Sequence, residues 1–246
     1  RQFDMYFLDK SFSIGIVPTM GALHDGHLSL IKKALSENDK VLVTIFINPT
    51  QFDDNLDLKS YPNELEKDLD KISQFGENVL VFAPDKSDIY GDKIHAKQYD
   101  LKGLDNIMEG KIRKVHFQGV ATVVEYFLKT FSPTKAYFGE KDYQQLLIIK
   151  HLSRSLNLPT KIVGCPIVRA KDGLAMSSRN LLLSPKERKI APEVYMGLKL
   201  AKKLAQKEKY KKIQTEVGAF FQNLSLIKLE YFIATDPFTL VEFKPN

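Results

Sequence analysis

The chain has 246 residues, of which 43% are hydrophobic and 27% are charged, and this composition is typical of a soluble globular protein with one or two domains. Its longest apolar runs, such as residues 41–47, are too short to span a bilayer, and the N-terminus lacks the apolar core of a secretory signal, so we expect a cytoplasmic protein with no membrane partner. The 36 basic and 30 acidic residues give a net charge of +6, which favours anionic partners without distinguishing nucleotides, nucleic acids and acidic metabolites.

Apolar runs and helical patterns alternate along the first two thirds of the chain. This alternation predicts an α/β fold, a Rossmann-like parallel sheet whose ligands lie beyond the carboxyl ends of the strands. The predicted strands are residues 14–17, 40–48, 78–83, 135–138 and 161–164. Apolar residues at three- and four-residue spacing predict helices at 27–37, 64–75, 119–130 and 143–156.

The first predicted strand runs into a turn with two histidines at the start of a helix, PTMGALHDGH at residues 18–27. Backbone N–H groups and the helix dipole at such a start favour a phosphate, and Gly26 allows its close approach. His24 and His27 are three residues apart, so both imidazoles can donate hydrogen bonds to phosphate oxygens. Two buried structural histidines are the alternative, and a metal site is less favoured because no third His or Cys has suitable spacing.

The character of the chain changes after Pro166. A loop with Gly and Ser runs to Ser184, Pro185 begins a helix, and two Lys-rich amphipathic helices precede a last apolar run at 229–234. We therefore predict a larger domain at 1–165 and a smaller α+β domain at 166–246. The basic stretch 202–212 is interpreted as a solvated helix face, with nucleic-acid binding as a less favoured alternative.

A lone cysteine, Cys165, stands at the predicted domain boundary. It can form no intramolecular disulfide and offers no set of metal ligands. Its apolar neighbours predict a buried structural thiol, since nothing nearby in the sequence would lower its pKa as catalysis requires.

Four ordered motifs carry a resemblance over nearly the whole chain. His-x-Gly-His alone resembles the nucleotidyltransferase superfamily, which includes class I aminoacyl-tRNA synthetases and acts on the α-phosphate of ATP. PTMGALHDGH at 18–27, FINPTQF at 46–52, GEKDYQQ at 139–145 and DGLAMSSRN at 172–180 together resemble the pantothenate synthetase family. The resemblance implies an ATP-dependent condensation of pantoate with β-alanine through a pantoyl adenylate, releasing AMP and diphosphate, in a homodimer.

The resemblance also implies an ATP site. It assigns to ATP the residues Met20, Gly21, Ala22, Leu23, His24, Asp25, Gly26, His27, Gly139, Glu140, Lys141, Asp142, Val168, Met176, Ser177, Ser178 and Arg179. His27 would act as proton donor to the reacting phosphate, supported by His24, and Val168 would hold the adenine through its backbone. Ser177 and Arg179 would belong to a flexible loop closing over the triphosphate, and with Lys141 and the two histidines they form the predicted catalytic set. Without the resemblance, Glu-Lys-Asp at 140–142 would equally be an ordinary charged helix start.

Substrate binding is predicted for a second set of residues. The resemblance places Gln51 on pantoate and β-alanine and Gln145 on pantoate, and adds Pro18, Thr19, Met20, Arg113 and His116 to the site. On its own, Gln51 would be interpreted as a surface turn residue that follows the second strand. Lys114 and Val115 stand where the family usually has Pro-Gly, which leaves the roles of Arg113 and His116 open.

Asp68 matches an acidic family position near the metal and the phosphates. Mg²⁺ binds mostly through substrate phosphates and keeps several waters, so contact through water is expected. The alternative is an ordinary aspartate on a helix face. Two rival functions remain at this stage, namely a nucleotidyltransferase that forms only a phosphodiester and a non-catalytic nucleic-acid-binding protein.

Overall fold

The computed structural model of the chain describes residues 12–243 and divides into two compact units. The larger is Arg1–Ile167 and the smaller is Val168–Asn246, whereas the sequence predicted the boundary between 165 and 166. The two units are described in turn.

Five parallel strands form the sheet of the larger unit. They are β1 (Ile14–Thr19), β2 (Lys40–Ile45), β3 (Val79–Phe82), β4 (Lys135–Gly139) and β5 (Lys161–Cys165), in the spatial order β3-β2-β1-β4-β5. All pairings are parallel, which confirms the predicted α/β fold. Because β1 lies in the centre, its carboxyl end is flanked by those of β2 and β4, where a ligand site is expected.

Helices connect these strands. They are α1 (Asp25–Leu35), α2 (Asn55–Ser60), α3 (Leu65–Ser73), α4 (Lys86–Tyr90), α5 (Glu109–Ile112), α6 (His116–Phe131) and α7 (Tyr143–Ser155), with 3-10 turns at Pro49–Gln51 and Glu140–Asp142. Two predicted helix starts were late. Helix α1 begins at Asp25 because His24 is its N-cap, and α6 begins at His116 rather than 119.

Two apolar cores cover the two faces of the sheet. Ile16 of β1 packs in one core with Val124 and Phe127 of α6, and the adjacent Val17 packs in the other with Ile31 of α1. Successive side chains of a strand point to opposite faces, so a strand buried on both sides is apolar throughout. Cys165 lies in the second core and is buried, which confirms the predicted structural thiol.

The smaller unit is mainly helical. It contains a 3-10 segment at Ser178–Leu182, followed by α8 (Pro185–Ile190), α9 (Glu193–Leu204) and α10 (Tyr210–Gln222). The predicted helix start at Pro185 is confirmed, and the capping box of Ser184 with Glu187 explains it. Its β structure within the described residues consists of isolated bridges, Arg169 with Ala175 and Thr235 with Glu242. The apolar run 229–234 lies outside the helices and strands.

None of the helices between residues 12 and 243 is both long and apolar enough to cross a bilayer.

Candidate active site

The turn after β1 has an unusual backbone. Gly21 has φ +83° and Ala22 has φ +49°, both in the left-handed region. Glycine adopts this region without strain, whereas a residue with a Cβ does so at a cost. A Cβ on Gly21 would also lie 3.0 Å from a carboxylate oxygen of Asp68, so the turn needs glycine there for two reasons.

Helix α3 holds this turn through two side chains. The fully buried Asp68 carboxylate accepts the Ala22 N–H at 2.8 Å and the Leu23 N–H at 2.7 Å, one with each oxygen. The Lys71 ammonium donates to the Leu23 carbonyl at 2.7 Å. The amides of Ala22 and Leu23 are therefore occupied by an internal carboxylate. Both oxygens of Asp68 bind the turn, and its place near the metal stays a prediction.

His24 and His27 form a stacked pair at the start of α1. Their ring centroids are 4.0 Å apart and the rings are inclined by 22°. His24 Nδ1 accepts the Gly26 N–H at 3.1 Å, and His27 Nδ1 accepts the His24 N–H at 3.4 Å. A ring nitrogen that accepts carries no proton, so each neutral imidazole has its proton on Nε2. The pair therefore offers two Nε2–H donors.

Both imidazoles are neutral at pH 7. Burial lowers the pKa of His24 to about 4, helped by the charges of Lys141 and Lys71 and opposed by Asp25. Burial also lowers the pKa of His27 to about 3, and His24, Lys141 and Lys71 act in the same direction. In this neutral state each ring can donate a hydrogen bond from Nε2. The role of His27 as proton donor to the reacting phosphate stays a prediction.

Lys141 brings a positive charge to the histidine pair. Strand β4 ends at Gly139, and Lys141 follows in the 3-10 turn Glu140–Asp142 before α7. Its ammonium lies 3.3 Å from an Asp142 carboxylate oxygen, and both side chains are partly exposed. Since the charge of Lys141 lowers the pKa of both imidazoles, the GEKDYQQ motif and the histidine turn share one electrostatic environment. Gln145 lies in the first turn of α7 and is partly buried.

Gln51 is a buried residue and not a surface one. Strand β2 ends at Ile45, earlier than predicted, and Gln51 ends the 3-10 turn Pro49–Gln51 with 8% of its surface exposed. The Asn48 side-chain amide donates to Gln51 Oε1 at 3.1 Å. Gln51 Nε2 lies 2.8 Å from Met20 Sδ, so the FINPTQF motif contacts the histidine turn.

Arg113 and His116 both contact the backbone of Gln51. The buried His116 donates from Nδ1 to the Gln51 carbonyl at 3.0 Å, and Arg113 donates to the same oxygen at 3.4 Å. Burial, followed by the nearby Arg113 charge, lowers the pKa of His116 to about 4. The Val115 N–H donates to Asp53 at 3.0 Å, which holds the segment where the sequence departs from the family. Arg113 and His116 therefore lie beside Gln51 although Lys114 and Val115 stand between them.

The DGLAMSSRN motif of the smaller unit forms a narrow loop. Arg169 and Ala175 form an antiparallel bridge, and the Val168 carbonyl accepts the Met176 N–H at 3.0 Å. Ser177 Oγ accepts the Arg179 N–H at 3.3 Å and Ser178 is buried. The loop is therefore ordered by its own backbone.

Side chains of two helices anchor the loop. The Arg169 guanidinium lies 3.8 Å from the centre of the Tyr195 ring of α9, in cation–π contact. Asp172 forms an ion pair with Arg188 of α8 at 2.6 Å.

A metal ion would find few protein ligands within residues 12–243. No group of three His, Cys, Asp or Glu side chains among residues 12–243 is arranged to hold one. Both oxygens of Asp68 are already hydrogen-bonded, so it fits poorly as a direct ligand. A Mg²⁺ ion would be held mainly by phosphate oxygens of a bound nucleotide.

Several residues of this site escaped the sequence analysis. Lys71 donates to the turn, and its spacing of three from Asp68 on one helix was a usable signal. Tyr90 hydrogen-bonds Asn48 and also lies 2.8 Å from the Thr50 hydroxyl, and nothing in the sequence indicated it.

Related proteins share both sequence and fold with this chain. A family model described as pantoate-beta-alanine ligase matches residues 4–246. The pantothenate synthetase of Christiangramia forsetii is 48% identical over 228 residues, 93% of this chain and 81% of that protein. That of Flavobacterium psychrophilum is 47% identical over 238 residues, 97% of this chain and 84% of that protein.

Solved structures of members of the same family also match the fold of this chain. Pantothenate synthetase from Thermus thermophilus matches with a TM-score of 0.89 and 38% identity, covering 95% of this chain and 84% of that one. Pantoate-beta-alanine ligase from Francisella tularensis, complexed with beta-gamma ATP and beta-alanine, matches with a TM-score of 0.76 and 39% identity, covering 89% of this chain and 83% of that one. These relatives favour a ligase over an enzyme that stops at a phosphodiester. The chain belongs to the pantoate–β-alanine ligase family.

Proposed function

We propose that this chain condenses pantoate with β-alanine at the expense of ATP, and that the stacked histidine pair is the centre of the first step. The observation that carries the proposal is the pair of Nε2–H donors of His24 and His27 at the carboxyl end of β1. Membership of the ligase family supports the overall reaction, and the Francisella tularensis relative was solved with an ATP compound and beta-alanine.

In the first step a pantoate carboxylate oxygen attacks the α-phosphorus of ATP. A new O–P bond forms, the bond to the β-phosphate oxygen breaks, and diphosphate departs with its electron pair. Negative charge grows on the phosphate oxygens, and the two Nε2–H groups and the Lys141 ammonium stabilise it. Because the imidazoles are neutral and preorganised, they need not change protonation state during the reaction.

In the second step the neutral amine of β-alanine attacks the acyl carbon of pantoyl adenylate. The C–N bond forms, the acyl–O bond breaks, AMP leaves and the amine loses a proton. Neutral amides suit a substrate with hydroxyl groups and a carboxyl group, which is the proposed role of Gln51 and Gln145. Arg113 and His116 both bind the Gln51 carbonyl, so their proposed role is to position Gln51.

Other assignments stay predictions. Mg²⁺ bound to the triphosphate would neutralise phosphate charge. The closing of Ser177 and Arg179 over the triphosphate, the adenine contact of Val168, the homodimer and the cytoplasmic location are likewise proposed on the family resemblance.

The direct test measures diphosphate and AMP release from ATP and Mg²⁺ with pantoate, with and without β-alanine. Steady AMP release only with both organic substrates is the expected result. Diphosphate release that does not depend on β-alanine would instead indicate a simple nucleotidyltransferase, and no turnover would overturn the enzyme assignment.

A further inference from the structure

The histidine pair stands on a turn that helix α3 holds by two side chains, Asp68 and Lys71. We infer that Lys71 is a positioning residue for the first step, acting with Asp68 as a clamp that sets where the His24 and His27 donors lie. The inference rests on the proposed function, because it concerns the same site.

Asp68 supplies the acceptor half of the clamp. A buried carboxylate is costly unless it is hydrogen-bonded, and here each oxygen accepts one of two consecutive amides, those of Ala22 and Leu23. These amides immediately precede His24. The carboxylate therefore stabilises a left-handed backbone at Ala22 that would otherwise be strained.

Lys71 supplies the donor half. Its ammonium binds the carbonyl of Leu23, which is the peptide group joined to His24. Asp68 and Lys71 thus bind the N–H and the carbonyl of the same residue, Leu23, and these two hydrogen bonds restrain the turn just before His24. The next residue is the N-cap of α1, whose ring stacks on His27. Movement at Leu23 is transmitted directly to both rings.

The grip is anchored in the core. Ile72, the neighbour of Lys71 on α3, is buried in the cluster that contains Leu23 and Ile31 of α1. Helix α3 and helix α1 therefore share one apolar core, so the clamp joins α3 to the turn that precedes α1. Preorganised donors contribute most when they do not move as charge develops, so a loose clamp lowers the rate.

The experiment compares Lys71→Met and Lys71→Arg with the matched control Lys67→Met. Lys67 lies on the same helix, is exposed, and pairs with Glu64 rather than with the turn. For each protein, kcat and KM for ATP in adenylate formation are measured, together with the thermal midpoint and the hydrogen exchange of the Ala22 and Leu23 amides.

We expect Lys71→Met to lower kcat about tenfold with KM for ATP changed less than about twofold, because the lost positioning acts in the transition state. Exchange at the two amides should quicken while the thermal midpoint stays close to that of the wild type. Lys71→Arg, which can still reach the carbonyl, should recover most of the rate, and Lys67→Met should match the wild type.

Unchanged kcat and unchanged amide exchange in Lys71→Met would overturn the inference, as would an equal loss in Lys67→Met. A loss of kcat that follows the thermal midpoint across the variants would also overturn it. The exchange measurement needs no turnover, so the clamp is tested even if wild-type protein fails to make pantothenate and the proposed function falls.

Discussion

The turn that carries the histidines and the loop that carries Ser177 and Arg179 are held in different ways. The turn is gripped by Asp68, which is 0% exposed and binds two backbone amides. The loop is anchored by Arg169 on the Tyr195 ring and by the exposed ion pair of Asp172 with Arg188. One anchor lies in the core and the other faces water.

This difference separates a firmly held turn in the larger unit from a loop in the smaller unit with exposed anchors. Charge-assisted hydrogen bonds inside a protein are strong, whereas exposed ion pairs are screened and contribute little. The turn is therefore suited to hold donors still, and the loop can rearrange at small cost. Such a division fits the proposed closing of the loop over the triphosphate.

Removing an outward donor from the fixed turn should give the largest effect. We expect His27→Ala to slow adenylate formation by about 10²- to 10³-fold, the range associated with the loss of one preorganised hydrogen-bond donor. Diphosphate release in single turnover measures this rate. His95→Ala, which removes an exposed imidazole, is the control, and a near wild-type rate in His27→Ala would remove His27 from the mechanism.

Weakening the anchor of the turn should have the next largest effect. Asp68→Asn keeps the shape of the side chain, but its NH₂ group cannot accept a hydrogen bond, so one turn amide loses its partner. We expect the free energy of unfolding to fall by about 1–3 kcal/mol, the cost of an unsatisfied buried group. Urea denaturation measures it, and an unchanged midpoint would show that the carboxylate does not hold the turn.

Acid should destabilise the larger unit. His24 and His27 have pKa values lowered to about 4 and about 3 in the fold, against 6.5 in an unfolded chain. Below pH 6.5 the unfolded state binds more protons, so stability falls as the pH falls, by at most about 1.4 kcal/mol per pH unit for each histidine. Urea denaturation between pH 7 and 5 should show this slope, and His27→Asn should make it shallower.

Measuring the acid sensitivity of each unit separately sharpens the comparison between them. Every histidine of the chain stands at or before position 151, so the smaller unit has none. The protection of backbone amides, which corrects for slower intrinsic exchange at low pH, should therefore fall first in the larger unit at pH 5. An equal slope for His27→Asn and wild type would contradict the assignment of the low pKa to that ring.

The smallest effect is expected at the exposed anchor of the loop. Asp172→Asn removes the charge opposite Arg188 but keeps an oxygen that can accept the Leu174 N–H. The unfolding midpoint should stay unchanged, and KM for ATP should change by about twofold or less. A loss of stability as large as that of Asp68→Asn would erase the distinction between the two anchors.

Local pattern was enough to predict the strands, the helices longer than eight residues in the larger unit and the pairing of His24 with His27. It failed where a contact joins distant parts of the chain. Asp68 binds amides 45 and 46 positions away, and the burial of Gln51 depends on Asn48 and on the approach of α6. The short helices α2, α4 and α5 were missed because a few residues carry too little periodicity.

The neutral state of the histidines was also beyond sequence reasoning. A sequence shows that an imidazole is present, but its proton depends on burial and on which nitrogen accepts a backbone N–H. The Nδ1 atoms of His24 and His27 accept backbone N–H groups at the start of α1, and this capping contact was not evident from the sequence.

The central place of β1 in the sheet bears on the order in which the protein folds. Its pairing with β2 joins Ile14 to Lys40, whereas its pairing with β4 joins Gly15 to Lys135. Closing the shorter loop costs less entropy, and synthesis delivers the N-terminal part first. The histidine turn and its α3 anchor both lie within the segment that ends with β3, so the hydrogen bonds between them involve only residues synthesised before β4 and Lys141.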